Sequence, residues 1–330
     1  MHITIVQEAV LPVVKYGGTE RVVWYLAKEL VALGHKVTFV ANWGSKCAFA
    51  DVIPLQEGIH ITKLLPKNTD VVHFHSTGVT GINDVQCPKV ITMHGNPPYG
   101  EELDYNTVFV SKNHANRHNS DSYVYNGLDW NDYGAVNLNA SKDFFHFLGK
   151  GAWRVKNLRG AIRLVKTMPH EKLYVFGGVR FNFNMGLRFT FTPKAHFFGL
   201  VDNEMKKKYL PHSKGLLFPV LWNEPFGLAL IESLYFGSPV FGTPYGSLPE
   251  LIIPEVGFLS DTAADLQQAM CNWREYDPKV CHHYATENFN AKKMALHYLE
   301  KYQQVIDNQY LNSKKPSLLQ ATPKFLPWAE

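Results

Sequence analysis

The chain has 330 residues, 45% hydrophobic and 19% charged, a balance that supports two packed cores and excludes a disordered or low-complexity protein. Its formal net charge of +4 favours anionic nucleotides or an anionic bilayer surface and falls short of a nucleic-acid footprint, so no nucleic-acid partner is expected. Cys47, Cys87, Cys271 and Cys281 lack Cys-x-x-Cys spacing and residues 1–8 lack an export signal, so a cytoplasmic chain with reduced thiols is expected, touching a membrane only peripherally because no segment reaches roughly 18 apolar residues.

Residues 3–6 open a series of β-branched runs, and Gly17-Gly18-Thr19-Glu20-Arg21 follows ahead of an apolar-periodic helix ending at Leu33. Glycines between a first strand and its helix let backbone approach a phosphate while the helix presents its positive end. The pair also reads as a plain loop turn. It is not the Gly-x-Gly-x-x-Gly fingerprint, which argues against a nicotinamide enzyme. Further runs at 36–42, 71–75, 90–93, 107–110 and 122–125 alternate with helical stretches, implying a parallel sheet wrapped by helices. Val71-Val72-His73-Phe74-His75-Ser76 and Thr92-Met93-His94-Gly95 each end a strand at the carboxyl edge, where open α/β sheets bind ligands. His94 is the stronger candidate, whereas His73 and His75 also read as polar packing residues. The histidines lack the closely spaced partners of a zinc site. Lys112, His114, Arg117 and His118 recur along a helix of this first half.

The stretch from Asn126 through Asn139 is rich in Gly, Asn and Asp and favours turns, which sets the expected boundaries: a first domain at 1–139, a second at 140–307 and a tail at 308–330. Strand-like runs at 144–148, 173–176, 197–198, 215–220 and 239–242 repeat the first series. Lys150 and Lys156 follow the first of them, and Gly177-Gly178 follows the second. Two glutamates, Glu224 and Glu232, flank an expected helix start, with Pro225 where a first helical residue is favoured. Eight residues at about 1.5 Å each put Glu232 roughly 12 Å deeper along that helix. The N–H groups of Phe226, Gly227, Leu228 and Ala229 then attract anions. A diphosphate fits that gap, with one carboxylate for a sugar and the other for ribose hydroxyls. A glycosidase pair, about 5 to 9.5 Å apart, fits poorly. An ordinary amphipathic helix with two surface acids is the competing reading. The sequence contains no Asp-x-Asp pair, so no metal is expected.

Residues 218–232, continued by Gly237-Ser238-Pro239-Val240 and Tyr245-Gly246-Ser247-Leu248-Pro249-Glu250-Leu251-Ile252, resemble the Glu-(seven)-Glu signature of retaining nucleotide-sugar glycosyltransferases of glycosyltransferase family 4 (glycosyl transferases group 1). That large family includes sucrose synthase and many bacterial envelope transferases, and the likeness extends over most of residues 1–307. The resemblance implies an α/β protein of the GT-B fold, two doubly wound Rossmann-like domains facing a central cleft, with acceptor bound mainly by the first and donor by the second. It implies transfer of a sugar, a hexose above all, from a nucleotide-diphosphate sugar, UDP-sugar favoured, to an acceptor hydroxyl with retention. Attack from the front face, with the donor phosphate helping to deprotonate the acceptor, is the implied chemistry. Glu224 would orient donor hydroxyls and Glu232 would hold ribose. Gly17, Gly18, Gly177 and the segment Phe226–Ala229 would lie along the donor, and His94 would touch its sugar.

Lys150 and Lys156 match the family's "G-R-(five)-K" phosphate clamp, with Lys150 where arginine is usual. The exchange loses a bidentate fork and keeps the charge. One such cation contributes about 4 kcal/mol at 4 Å and an effective dielectric near 20. No cofactor and no metal are expected. The acceptor is left open as a glycan, a lipid-linked or a small-molecule hydroxyl, with cell-envelope polysaccharide or glycolipid synthesis as its setting. The pattern at 289–307 resembles the family's last helix, which crosses back to the first domain. Phe325, Leu326 and Trp328 in the tail either pack on the first domain or join the basic helix at 112–118 on an anionic bilayer. A nucleotide-sugar 2-epimerase and a non-catalytic sugar-nucleotide-binding subunit are the rival readings.

Overall fold

The computed structural model describes residues 1–13, 17–56, 58–183 and 185–330. The chain divides into two compact units, Met1–Asp129 with Phe289–Ala321 and Trp130–Asn288 with Thr322–Glu330.

Unit 1 begins β1 (His2–Gln7), α1 (Gly18–Ala32), β2 (Lys36–Asn42), β3 (Asp51–Leu55), β4 (Val71–Phe74), β5 (Lys89–Met93), β6 (Thr107–Phe109) and α2 (Lys112–Arg117). The strands lie in the order β3-β2-β1-β4-β5-β6, all parallel. Every residue of β1 is buried, as a central strand covered on both faces requires. Gly34, at φ +87°, supplies the left-handed residue just beyond α1 that lets the chain turn into β2. The strand expected at 122–125 is reduced to a single bridge between Tyr123 and Phe109. The run at 51–55, broken by Pro54, forms the edge strand β3, where a missing N–H is tolerated.

Unit 2 contains β7 (Phe144–Leu148), α3 (Leu158–Thr167), β8 (Leu173–Phe176), a hairpin of β9 (Phe181–Asn182) and β10 (Arg188–Phe189), β11 (Ala195–Gly199), α4 (Asn203–Tyr209), β12 (Ser213–Phe218), α5 (Leu228–Tyr235), β13 (Val240–Gly242), α6 (Leu248–Leu251), β14 (Gly257–Leu259), α7 (Ala263–Cys271) and α8 (Pro278–Asn288). Its six-stranded sheet repeats the first order as β11-β8-β7-β12-β13-β14, again parallel. Phe145, Phe147, Val175, Leu217 and Phe241 pack beneath Leu164 of α3 and Met270 of α7. Full burial of each such side chain contributes about 1.5–3 kcal/mol. In both sheets the order reverses beside the first strand of the unit, and the crevice at the carboxyl ends there is where open α/β sheets take ligands.

The units divide differently from the boundaries expected above. The break falls at Asp129, because Trp130 stacks on Tyr235 with centroids 4.4 Å apart and Tyr133 sits buried in the same aromatic group. The last helix, α9 (Ala291–Ile306), falls in unit 1, in line with the resemblance to a last helix that crosses back to the first domain and outside the bounds 140–307 given to the second. It buries Met294, Ala295, Tyr298, Tyr302 and Val305 as one stripe and packs against α1, β4 and β5. The tail splits. Pro316 and Ser317 bond to Leu103 and His118 of unit 1, whereas Trp328 packs on the core of unit 2 and Leu326 N–H donates to Leu221 O at 2.8 Å.

Candidate functional site

The carboxyl edge of unit 2 is built from glycine loops. After β7, Gly151 N–H donates to Gly177 O at 2.8 Å, and a Cβ on Gly177 would lie 2.2 Å from Gly149 O. The two loops are therefore pressed backbone to backbone, which only glycine at 177 permits. Lys150 projects from this loop with its ammonium 5.6 Å from the Trp153 ring centroid. A short turn at Arg154–Lys156 follows, and Asn157 caps α3 by accepting from Gly160 N–H.

Lys156 and Glu224 meet on this edge. The ammonium donates to Glu224 Oε2 at 2.5 Å, with side chains 12% and 7% exposed, and Trp222 Nε1–H donates to the same oxygen at 2.8 Å. The cation also lies 5.2 Å and 5.1 Å from the ring centroids of Phe218 and Trp222. The loop after β13 fixes the backbone here. Ser247 N–H donates to Glu224 O at 2.9 Å, Ser247 Oγ to Phe226 O at 2.7 Å and Thr243 Oγ1 to Val220 O at 2.6 Å.

Helix α5 starts later than its sequence suggests. Gly227 precedes it at φ +86°, and a left-handed residue ends helical continuity toward Pro225. Pro225, Phe226 and Gly227 are thus outside the helix, which leaves Leu228 and Ala229 in its first turn. The estimate of 12 Å along one continuous helix does not hold. Glu232 is buried within unit 2, where Lys206 Nζ donates to its Oε1 at 2.7 Å and the Tyr133 hydroxyl donates to the same atom. The reading as a surface acid is overturned. His146 ties the helix to the sheet: its ring nitrogens lie 2.6 Å from Ser213 Oγ and 2.8 Å from Ser233 Oγ. The Ser213 and Ser233 hydroxyls also reach the Gly215 and Ala229 carbonyls. Burial pushes the His146 pKa down to about 3.

In unit 1, His94 Nε2 and His75 Nδ1 lie 2.9 Å apart. Such a contact needs one N–H and one lone pair, so at least one ring is neutral. Burial lowers His94 to about 4 and His75 and His73 well below their usual value. His73 is fully buried between Tyr302 OH and Thr92 Oγ1, each at 2.7 Å, a packing role. Gly17 makes room for its own helix, since a Cβ there would lie 2.8 Å from Glu20 Oε2 and Val13 Cγ1; Gly18 is the first residue of α1. The basic helix expected to face a bilayer is half interior. His114 and His118 are buried against Phe109, and Arg117 donates to Asn96 Oδ1 at 3.1 Å. Among the described residues no group of three or more His, Cys, Asp or Glu is placed to hold a metal ion, and no helix is long and apolar enough to cross a membrane.

Glycosyltransferase Family 4 matches residues 16–131, and Glycosyl transferases group 1 matches residues 132–288. The chain belongs to the group 1, family 4 glycosyltransferases. This glycosyltransferase has the GT-B fold. A glycosyltransferase involved in avilamycin A biosynthesis superposes with TM-score 0.73 at 20% identity, over 93% of this chain and 98% of that one. Sucrose-phosphate synthase from Thermosynechococcus elongatus gives 0.72 at 17% identity over 93% and 100%. Anabaena HepE in complex with UDP-glucose gives 0.66 at 12% over 92% and 100%. No curated protein matches the transferase in sequence.

Sequence reasoning missed Lys206, Tyr133, Trp222 and His146. Only Trp222, two residues from Glu224, carried a local signal. The other three lie tens of residues from the atoms they bind.

Proposed function

We propose that this glycosyltransferase moves a hexose from a nucleotide-diphosphate sugar, UDP-sugar first, to an acceptor hydroxyl with retention of anomeric configuration and without a metal. The contact between Lys156 and Glu224 at the carboxyl edge of β7 and β12 carries the reading. As the bond from the anomeric carbon to the phosphate oxygen breaks, charge grows on the departing diphosphate, and a preorganised cation stabilises it. Lys156 supplies that charge from a fixed position, with Lys150 on the same loop. The acceptor oxygen bonds to the anomeric carbon on the same face, and its proton passes to the departing phosphate oxygen. Glu224 orients donor hydroxyls and Glu232 the ribose, while Gly177 and the first turn of α5 lie along the diphosphate. In unit 1, His94, as a neutral imidazole, is proposed as a partner for a sugar hydroxyl, with Gly17 and Gly18 along a phosphate.

The UDP-glucose of HepE and the ADP bound to Arabidopsis starch synthase IV support testing both bases. A glycan or lipid-linked hydroxyl of the cell envelope is the proposed acceptor. Thermal-shift screening of UDP-, GDP- and ADP-sugars selects the donor by mass action. Proton NMR of the product then reads its anomeric configuration. An inverted product, or a sugar epimerised at C2 with no acceptor present, would sink the assignment.

A further inference from the structure

The hairpin of β9 and β10 is amphipathic in the opposite sense to the rest of the fold. Three of its polar residues face the body of unit 2. Asn182, Arg188 and Thr190 are buried, and Arg188 donates to Val179 O at 2.7 Å and to Thr190 Oγ1 at 2.8 Å. Its odd-numbered positions carry Phe181, Phe183, Met185, Leu187, Phe189 and Phe191, all exposed, with Phe183 at 69% and Phe191 at 81%. The rings form one surface, since Phe189 lies 6.2 Å from Phe181 and 5.6 Å from Phe183 between centroids. A contiguous exposed apolar face of this kind marks an interaction site.

Charge names the partner. Residues 144–200 hold ten lysines and arginines against one acid, Glu171, although the whole chain is only +4. Behind the hairpin lies a pocket of about 250 Å³ whose lining includes Arg154, Arg159, Arg188 and Asn182. The exposed Arg159 guanidinium donates to the Leu187 carbonyl at the hairpin itself. Aromatic and aliphatic side chains enter the acyl boundary of a bilayer, and guanidinium groups beside them meet headgroup phosphates. Docking this face on a second copy would instead bring two such cationic rims together, which opposes pairing.

We propose that the hairpin inserts into an anionic lipid bilayer, with arginines at its root holding headgroup phosphate. The proposal does not depend on the transferase chemistry. Its test uses the full chain in sedimentation with sucrose-loaded vesicles of equimolar phosphatidylglycerol and phosphatidylcholine, with pure phosphatidylcholine and high salt as comparisons. Wild type should partition onto the anionic vesicles and lose binding in high salt. Phe183→Ser with Phe191→Ser should weaken partition by about tenfold or more, and Arg159→Gln should weaken it on anionic vesicles only. Both positions of the double variant are exposed, so its thermal midpoint and circular dichroism should match wild type. Absence of wild-type partition, or equal partition by the double variant, overturns the proposal. So does a lipid-free oligomer, seen by analytical ultracentrifugation, that the double variant abolishes while vesicle binding is unchanged, because the face then belongs to a second copy. Binding of inorganic phosphate that Arg159→Gln removes, without any vesicle binding, overturns it as well.

Discussion

Lys206 and Glu232 form an ion pair inside unit 2, with Nζ 2.7 Å from Oε1 and side chains 5% and 3% exposed. The pair joins α4 to α5 and holds the second glutamate of the family signature from behind. Removing one partner of a buried pair leaves an uncompensated charge, which costs about 3–5 kcal/mol. Lys206→Met should therefore lower the denaturant midpoint sharply, while Lys206→Met with Glu232→Leu should recover part of the loss. A single variant as stable as wild type would show that the pair is not held in solution.

Glu232→Gln should weaken binding of free nucleoside diphosphate, whereas Glu224→Gln should chiefly lower turnover. Isothermal titration with UDP separates the two effects. Equal loss of affinity in both variants would remove the division of roles between them.

Lys156→Ala should reduce kcat by on the order of 10² to 10³, the cost of deleting one preorganised charge stabiliser. Lys150→Arg should retain most activity, because it keeps the charge. Steady-state rates with and without EDTA test the same assignment, and activity that vanishes with chelator and returns with Mg²⁺ would contradict it.

Gly246→Ala tests the brace behind Glu224. Gly246 has φ +64°, and a Cβ there would lie 2.2 Å from Glu224 N and 2.3 Å from Glu224 O. Backbone strain at such a position costs about 1–3 kcal/mol, and the shift moves Glu224 directly. The expected result is a fall in kcat/KM larger than the drop in Tm accounts for; a fully active variant would show that the brace is dispensable.

Acid should destabilise the protein through its buried imidazoles. His94 and His146 are lowered from 6.5 to about 4 and about 3, so the folded chain keeps them neutral while the unfolded chain takes up protons. Their contribution is complete above pH 6.5 and is lost as pH falls from there toward 4 and then 3. Each such group adds about 1.4 kcal/mol per pH unit within that window. His146→Gln should flatten the dependence of unfolding free energy on pH between 6 and 4, as measured by urea titration. An unchanged slope would mean that His146 is not held neutral.

Most strands of the two sheets, the glutamate signature and the loop lysines were legible in the sequence because each is local, whereas the short edge strands β3 and β14 were not read from it. A β-branched run, or two glutamates with seven residues between them, carries its meaning within one element. The partners were not local. Lys206 reaches Glu232 across 26 positions, Tyr133 reaches it across 99, and Tyr302 reaches His73 across 229; the sequence supplies each group and no distance. The resemblance already implied that helix α9 crosses back to the first domain, and the packing on α1 and β5 shows which elements it covers there. The hairpin shows the limit most clearly. Residues 179–191 alternate apolar with mostly polar side chains, and a period of two reads the same whichever face is covered. Arg180 and Arg188, engaged with the carbonyls of Thr190, Thr192, Ala195 and Val179, turned the polar face inward and left the phenylalanines outside.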